Sequence, residues 1–207
     1  MAEIQIVGIG SAANDGTGDT IRVGMDKVND NFTNFKFEGT SFGGSLLIGH
    51  NTTGTLSSAE YNTGVGIGAL DALTTADNSV AIGFNAGTNV TTGSSNILIG
   101  AYTGDALVGG GSNVAIGYAA LTTEDGHGAN VAVGYQALYA QNADADAYNV
   151  AVGYNAGVAV TTAIKNTLIG GLAGDALTTG SSNVALGYTA LGVEDTSSRN
   201  TAVGFES

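Results

Sequence analysis

The stretch Asn113-Val114-Ala115-Ile116-Gly117-Tyr118 decides how this chain is read. It returns as Asn130-Val131-Ala132-Val133-Gly134-Tyr135 and again as Asn149-Val150-Ala151-Val152-Gly153-Tyr154. With the glycine as anchor, the phrase or a degraded copy falls at Gly49, Gly68, Gly83, Gly100, Gly117, Gly134, Gly153, Gly170, Gly187 and Gly204. The steps are 19, 15, 17, 17, 17, 19, 17, 17 and 17 residues. A recurring step of this size marks a repeat architecture, in which each unit buries its apolar residues only by stacking on the next. Within one copy Val114 and Ile116 fall on one side and Ala115 on the other, the period of a strand. Seventeen residues are too few for a strand, a helix and two turns. They suffice for two or three short strands with tight corners, the second strand beginning at pairs such as Ala120-Leu121. The expected fold is therefore mainly β, a parallel β-solenoid of about ten coils spaced about 4.8 Å apart, or a rod roughly 45 Å long. An antiparallel sandwich competes for glycine-rich alternating sequence, but it needs neither a constant step nor identical stacked residues.

Stacking turns each repeated residue into a column. Asn96, Asn113, Asn130, Asn149, Asn166, Asn183 and Asn200 head their phrases and are expected to form an amide ladder between coils. In the early copies Ser45, Gly64 and Ser79 stand at that place, the last with Asn78 just ahead. The anchors Gly83, Gly100, Gly117, Gly134, Gly153, Gly170, Gly187 and Gly204 allow a corner with unusual dihedrals or a close backbone approach. Tyr118, Tyr135, Tyr154 and Tyr188, with Phe84 and Phe205, predict an aromatic column along one edge. A longer period lies above this one: residues 83–137 match residues 153–207 at 30 of 55 positions. With Val, Ala, Ile and Leu turned inward, the small Ala at alternate positions leaves the other face apolar as well. A surface so poor in charge invites packing against further chains.

Composition narrows the function. Of 207 residues, 34 are glycine and none is proline, cysteine or tryptophan. Disulfides and thiolate metal sites are excluded. A 43% hydrophobic content argues against disorder. Acids outnumber bases 18 to 5, and the bases Arg22, Lys27, Lys36, Lys165 and Arg199 are scattered. Nucleic acid needs clustered cations, so it is not an expected partner, and an anionic membrane would repel the chain. There is no apolar run long enough to span a bilayer, and Met1-Ala2-Glu3-Ile4 has neither the basic region nor the apolar stretch of an export signal. Synthesis in a cytoplasm is expected. Proline has no N–H to give a neighbouring coil, which accounts for its absence.

The first forty residues read differently. Ile21, Met25, Val28, Phe32 and Phe35 are spaced 4, 3, 4 and 3, a heptad seam that predicts a helix over 20–37. Asp19 is its N-cap, after the turn cluster Asn14-Asp15-Gly16-Thr17-Gly18. The helix either packs its stripe on its own chain or joins a short parallel bundle that sets three chains in register. The division expected is a segment 1–40 for attachment and trimerisation, and a shaft 45–207.

Two resemblances attach to these residues. Ile9-Gly10-Ser11-Ala12-Ala13-Asn14-Asp15-Gly16-Thr17-Gly18-Asp19-Thr20-Ile21-Arg22, followed by Asp26-Lys27-Val28-Asn29-Asp30-Asn31-Phe32, resembles the N-terminal segment of tailed-phage structural proteins, notably fibre proteins of myoviruses and cyanophages. It departs from that pattern at Gly24 and Met25, where a better helix former and an aromatic are usual. Phrases of the type Asn78-Ser79-Val80-Ala81-Ile82-Gly83, over residues 45–207, are similar to phage fibre shafts and to the heads of trimeric autotransporter adhesins. The autotransporter heads usually have shorter repeats, and those adhesins carry a signal peptide and a C-terminal membrane barrel. The phage resemblance implies a homotrimeric fibre on the virion, on tail or capsid, held to other virion structural proteins through residues 1–40, with a host surface receptor as a further partner. A host-binding trimeric adhesin and a head decoration fibre are the alternatives. The final phrase, Asn200 to Gly204, is followed only by Phe205-Glu206-Ser207, so a partner or further chain is expected to cover the end coil.

Catalytic chemistry is not expected. His50 and His127 fall in different coils without partners at metal spacing. No phosphate loop, nucleophile elbow or dinucleotide fingerprint is present, so no cofactor is expected. Glu124-Asp125 and Glu194-Asp195 echo each other 70 residues apart and read as solvated corners rather than a hydrolytic acid pair. Asp144 and Asp146, in the insertion Gln141-Asn142-Ala143-Asp144-Ala145-Asp146-Ala147, read as an acidic loop, with Ca²⁺ as the less favoured alternative because the glycine and bidentate glutamate of a calcium loop are missing. Tyr61, Tyr102, Tyr139 and Tyr148 lie off the aromatic column and are the candidates for recognising a host molecule.

Overall fold

The computed structural model of the chain describes residues 35–36, 45–48, 58–193 and 195–207. After β1 (Phe35–Lys36), each coil contributes one three-residue strand: β2 (Leu46–Ile48), β3 (Thr63–Val65), β4 (Val80–Ile82), β5 (Ile97–Ile99), β6 (Val114–Ile116), β7 (Val131–Val133), β8 (Val150–Val152), β9 (Thr167–Ile169), β10 (Val184–Leu186) and β11 (Thr201–Val203). They form one sheet in sequence order, parallel from β2 to β11. This is a parallel β-solenoid of about nine turns. Among the described residues there is no helix.

The pairing corrects the repeat at its start. Gly64 pairs with Ala81 and Val65 with Ile82, so the glycine that corresponds to Gly83 is Gly66, not Gly68. Every step from β2 to β11 is then 17 residues, except the 19 between β7 and β8. Gly64 lies mid-strand, and Asn62 stands at the head of this copy.

Which residues face inward is also reversed. The middle residue of the strand (Leu47, Ala81, Leu98, Ala115, Ala132, Ala151, Leu168 and Ala185) is buried, while its mostly β-branched flanks are more exposed. The coil is too narrow to hold two rows of Val and Ile. Its interior takes Ala and a few Leu at close packing, and the branched residues fit the pleated outer face.

No second strand forms at Ala120-Leu121. Those residues lie in a turn, and Ala119 and Leu121 adopt φ of 50° and 53°. Left-handed residues recur at fixed places in the coils from Gly66 onward: five before the anchor, at the anchor, two after and, in most of them, four after. The anchors from Gly66 to Gly204 hold φ between 133° and 145°, a region that L side chains rarely adopt. A Cβ built on Gly83 would also lie 2.5 Å from the carbonyl oxygen of Gly100 in the next coil. Backbone pairing continues past this corner, with Tyr102 N–H donating to the Phe84 carbonyl at 2.9 Å and Gln136 N–H to that of Tyr118 at 2.9 Å. Such continuous pairing leaves little room for proline.

The interior is a volume balance between coils. Gly87 and Gly157 sit where the neighbouring mid-strand residue is Leu98 or Leu168. A Cβ on either glycine would meet that leucine's Cδ1 at 2.6 and 2.8 Å. Beside the alanine strands Ala115 and Ala132, the same place four residues after the anchor is filled by Leu121 and Leu138.

Phe35, read as the last residue of the helical seam, lies in β1, which pairs antiparallel with β2 (Phe35 with Ile48, Lys36 with Leu47). An aromatic residue suits a strand, and the pairing covers what would otherwise be the open edge of the sheet. Ile21, Met25, Val28 and Phe32, the rest of the predicted helix and His50 lie outside the described residues.

Candidate functional site

Asn62, Asn96, Asn113, Asn130, Asn149, Asn166 and Asn183 are fully buried. Each Asn lies two positions before the mid-strand residue, so both point inward by the strand period. Each Oδ1 accepts the backbone N–H of the residue stacked above. Asn113 N–H donates to Asn96 at 3.0 Å, Asn130 to Asn113 at 3.0 Å and Asn149 to Asn130 at 3.2 Å. Asn166 N–H donates to Asn149 at 2.8 Å, Asn183 to Asn166 at 2.8 Å and Asn200 to Asn183 at 2.9 Å. The amide nitrogens reach across the coil interior: Asn96 Nδ2 donates to the Gly110 carbonyl at 2.8 Å and Asn166 Nδ2 to that of Gly180 at 3.0 Å. At the start of the rod Asn62 Oδ1 accepts from Ser79 N–H, and the hydroxyls of Ser45 and Ser79 accept from the N–H groups of Asn62 and Asn96. Sequence reading missed Asn62 because it took Gly68 as the anchor. Its signal was present, since Asn62 precedes Gly66 by the same four residues that separate Asn113 from Gly117.

The aromatic column stacks in part. Tyr118, Tyr135 and Tyr154 lie 5.3 Å apart in near-parallel planes, and Tyr188 stacks on Phe205 at 5.6 Å. Gly171 interrupts the column below Tyr188. At the other end Tyr102 takes the place two residues after its anchor rather than one. It meets Phe84 and Tyr118 edge-on, at 82° and 78°.

Glu124 is not a solvated corner. It occupies the place seven residues after the anchor, where Leu73, Val90, Leu107, Val160 and Leu177 fill the core, and it is fully buried. Its Oε1 accepts from His127 N–H at 3.0 Å and its Oε2 from Ala143 N–H at 3.4 Å. Burial pushes its carboxyl above the ordinary value, against the pull of those two N–H groups and of the nearby His127. His127 Nδ1 lies 3.9 Å from Oε1. Gln141, buried at the same place one coil on, accepts from Asn149 Nδ2 at 2.8 Å. The two extra residues of the long coil therefore sit over a polar section of the interior. Asp144 and Asp146 are exposed there, and Asp146 Oδ1 accepts from Gly128 N–H at 3.0 Å. Glu194 is outside the described residues. Among the described residues no group of three or more His, Asp or Glu side chains is placed to hold a metal ion, and no helix is long and apolar enough to cross a membrane.

Outside the sheet, the flanking strand residues form two columns. Leu46, Thr63, Val80, Ile97, Val114, Val131, Val150, Thr167, Val184 and Thr201 make one. Ile48, Val65, Ile82, Ile99, Ile116, Val133, Val152, Ile169, Leu186 and Val203 make the other. Neither contains a charged residue, and exposure reaches 46% at Leu186 and 63% at Val203.

Comparison of the chain with protein-family models, with curated proteins and with solved structures finds no match in any of the three.

Proposed function

We propose that the chain is a shaft segment of a homotrimeric fibre carried on a tailed-phage particle, with a mechanical rather than a catalytic role. The observation that carries this reading is the pair of uncharged, largely apolar columns along the outer face of the parallel sheet from β2 to β11. A contiguous face of this kind is an association surface, and one without charge offers nothing to select a charged partner. Copies of the same chain, aligned coil by coil, cover it with the same uncharged residues, and closed symmetry then hides it. Inside each chain the Asn ladder and the continuous backbone pairing supply stiffness. In this reading residues 1–40 align the three chains and hold them to other virion proteins. Sedimentation equilibrium of the purified chain should give three times the 20.4 kDa monomer mass. A monomer at micromolar concentration overturns the trimer. Labelled antibody seen by electron microscopy on tail or capsid supports the virion assignment, and its absence from purified particles overturns it.

The exposure of Tyr61 and Tyr148, 62% and 57%, favours a second reading in which the rod also touches a host surface. Adsorption of the purified chain to host cells, lost on replacing both tyrosines by serine, tests that.

A further inference from the structure

One cleft in the rod breaks the repeat. It is a solvent-open cleft of about 290 Å³ lined by Tyr102, Asp105, Tyr118, Ala119, Thr122, Gln136 and Tyr139. These residues come from three columns over three successive coils, Tyr118 lying one residue after its anchor. Tyr102, Ala119 and Gln136 each lie two residues after an anchor, and Asp105, Thr122 and Tyr139 each lie five after. The small Ala119 between Tyr102 and Gln136 opens the floor. Tyr102 and Tyr118, with ring planes 78° apart and centroids 5.9 Å apart, make an aromatic corner, and Tyr139 closes the far side. Asp105 is the one carboxyl in this lining. Its Oδ1 is buried without a hydrogen-bond partner, and among the described residues it belongs to no ion pair. The Thr122 hydroxyl beside it donates to the Tyr102 carbonyl at 2.6 Å.

We infer that this cleft binds an organic ammonium group, held against the tyrosine rings and neutralising Asp105. Ring faces carry negative potential and attract cations, most strongly where water is excluded, and a quaternary ammonium needs no hydrogen bond in return. A half-buried carboxylate in the same lining, with no ion-pair partner among the described residues, completes that environment. Burial pushes the Asp105 carboxyl upward against the pull of the Thr122 hydroxyl and the backbone N–H groups of Asp105 and Ala106, a cost that an incoming cation relieves. A net charge of -13 raises the local concentration of cations around the rod. The site is not a by-product of the repeat. Seventy residues on, the corresponding places hold Leu172, Asp175, Tyr188, Thr189, Gly192 and Glu206, so the carboxyl recurs without the aromatic corner or the threonine. The inference does not depend on the fibre reading, because it is tested on the isolated full-length chain.

The probes are choline and its neutral isostere 3,3-dimethylbutan-1-ol, titrated calorimetrically into the full-length protein alongside a panel of methyl glycosides. Choline should bind saturably, one per chain, at least about tenfold tighter than the isostere. Tyr102→Leu and Asp105→Asn should each weaken it by about tenfold or more while the melting temperature stays in place. Leu172 already takes φ of 59° where Tyr102 has 58°, so the first variant keeps the backbone intact. Equal binding of choline and isostere, no saturable binding of choline, or binding of a glycoside in its place overturns the ammonium assignment. Choline binding that both variants leave unchanged overturns the location.

Discussion

The two four-coil halves of the rod share a scaffold and differ in what they display. Inside, residue matches residue: Asn96 and Asn166, Leu98 and Leu168, Gly104 and Gly174, Leu107 and Leu177, Asn113 and Asn183, Ala115 and Ala185, Leu121 and Leu191. Outside they diverge: Ile97 faces Thr167 across the offset, Tyr102 faces Leu172, Thr122 faces Gly192 and Val131 faces Thr201. An inward residue touches the coils above and below, so its volume is fixed by its neighbours. Outward residues touch less, and there the first half builds a cleft while the second does not.

The largest break in this comparison should come from the anchors. Gly117→Val in the first half and Gly187→Val in the second place a Cβ against the carbonyl of the next anchor and force a branched residue to φ of 135° and 138°. Each should cost at least about 3 kcal/mol, read as loss of the folded β signal in circular dichroism. Gly109→Ala is the control, since its Cβ would meet only Thr92 Oγ1 at 3.6 Å and its melting point should barely move.

Next come the ladder residues. Asn149→Ala removes the acceptor for Asn166 N–H and the donor to Gln141 Oε1 and the Ala163 carbonyl, all buried. It should lower stability by about 2–4 kcal/mol, against about 1 kcal/mol for Asn200→Ala near the last strand, as read from urea midpoints.

The polar section around Glu124 should make stability depend on pH. The ordinary carboxyl value is 4.5, and burial raises that of Glu124 in the fold. The native chain therefore holds this proton more firmly than the unfolded chain. The stabilisation is fully present below about 4.5 and is lost as pH rises through the raised folded value. Melting temperature should fall over that window, and Glu124→Gln should flatten the fall. An unchanged pH profile in the variant would place the dependence elsewhere.

The smallest effect expected is on stability in Tyr102→Leu. The edge-on contacts with Phe84 and Tyr118 are worth about 1 kcal/mol at most on a half-exposed ring. The variant converts the first half to the second half's residue, so the rod should melt almost as before.

Much of this architecture is legible in the sequence. A recurring Asn-x-Ala-x-Gly phrase implies stacked strands, because only stacking puts identical residues in contact. The Asn residues from Asn96 to Asn200 were identified as a column on that ground, and their hydrogen bonds join adjacent coils. Three points read differently once the coils are paired. Gly66-Ile67-Gly68 offers two glycines for one anchor, and the inter-coil pairing selects Gly66. Alternation shows that Val114 and Ile116 oppose Ala115, but not which side is inside. The narrow coil settles that by admitting the alanine. Glu124 beside Asp125 looks like a polar corner, yet its place after Gly117 is the one that Leu107 fills in the coil before. The cleft at Tyr102 likewise joins residues separated by a coil or more. Periodicity along a chain is local information, whereas facing, burial and enclosure depend on what the neighbouring coils bring alongside.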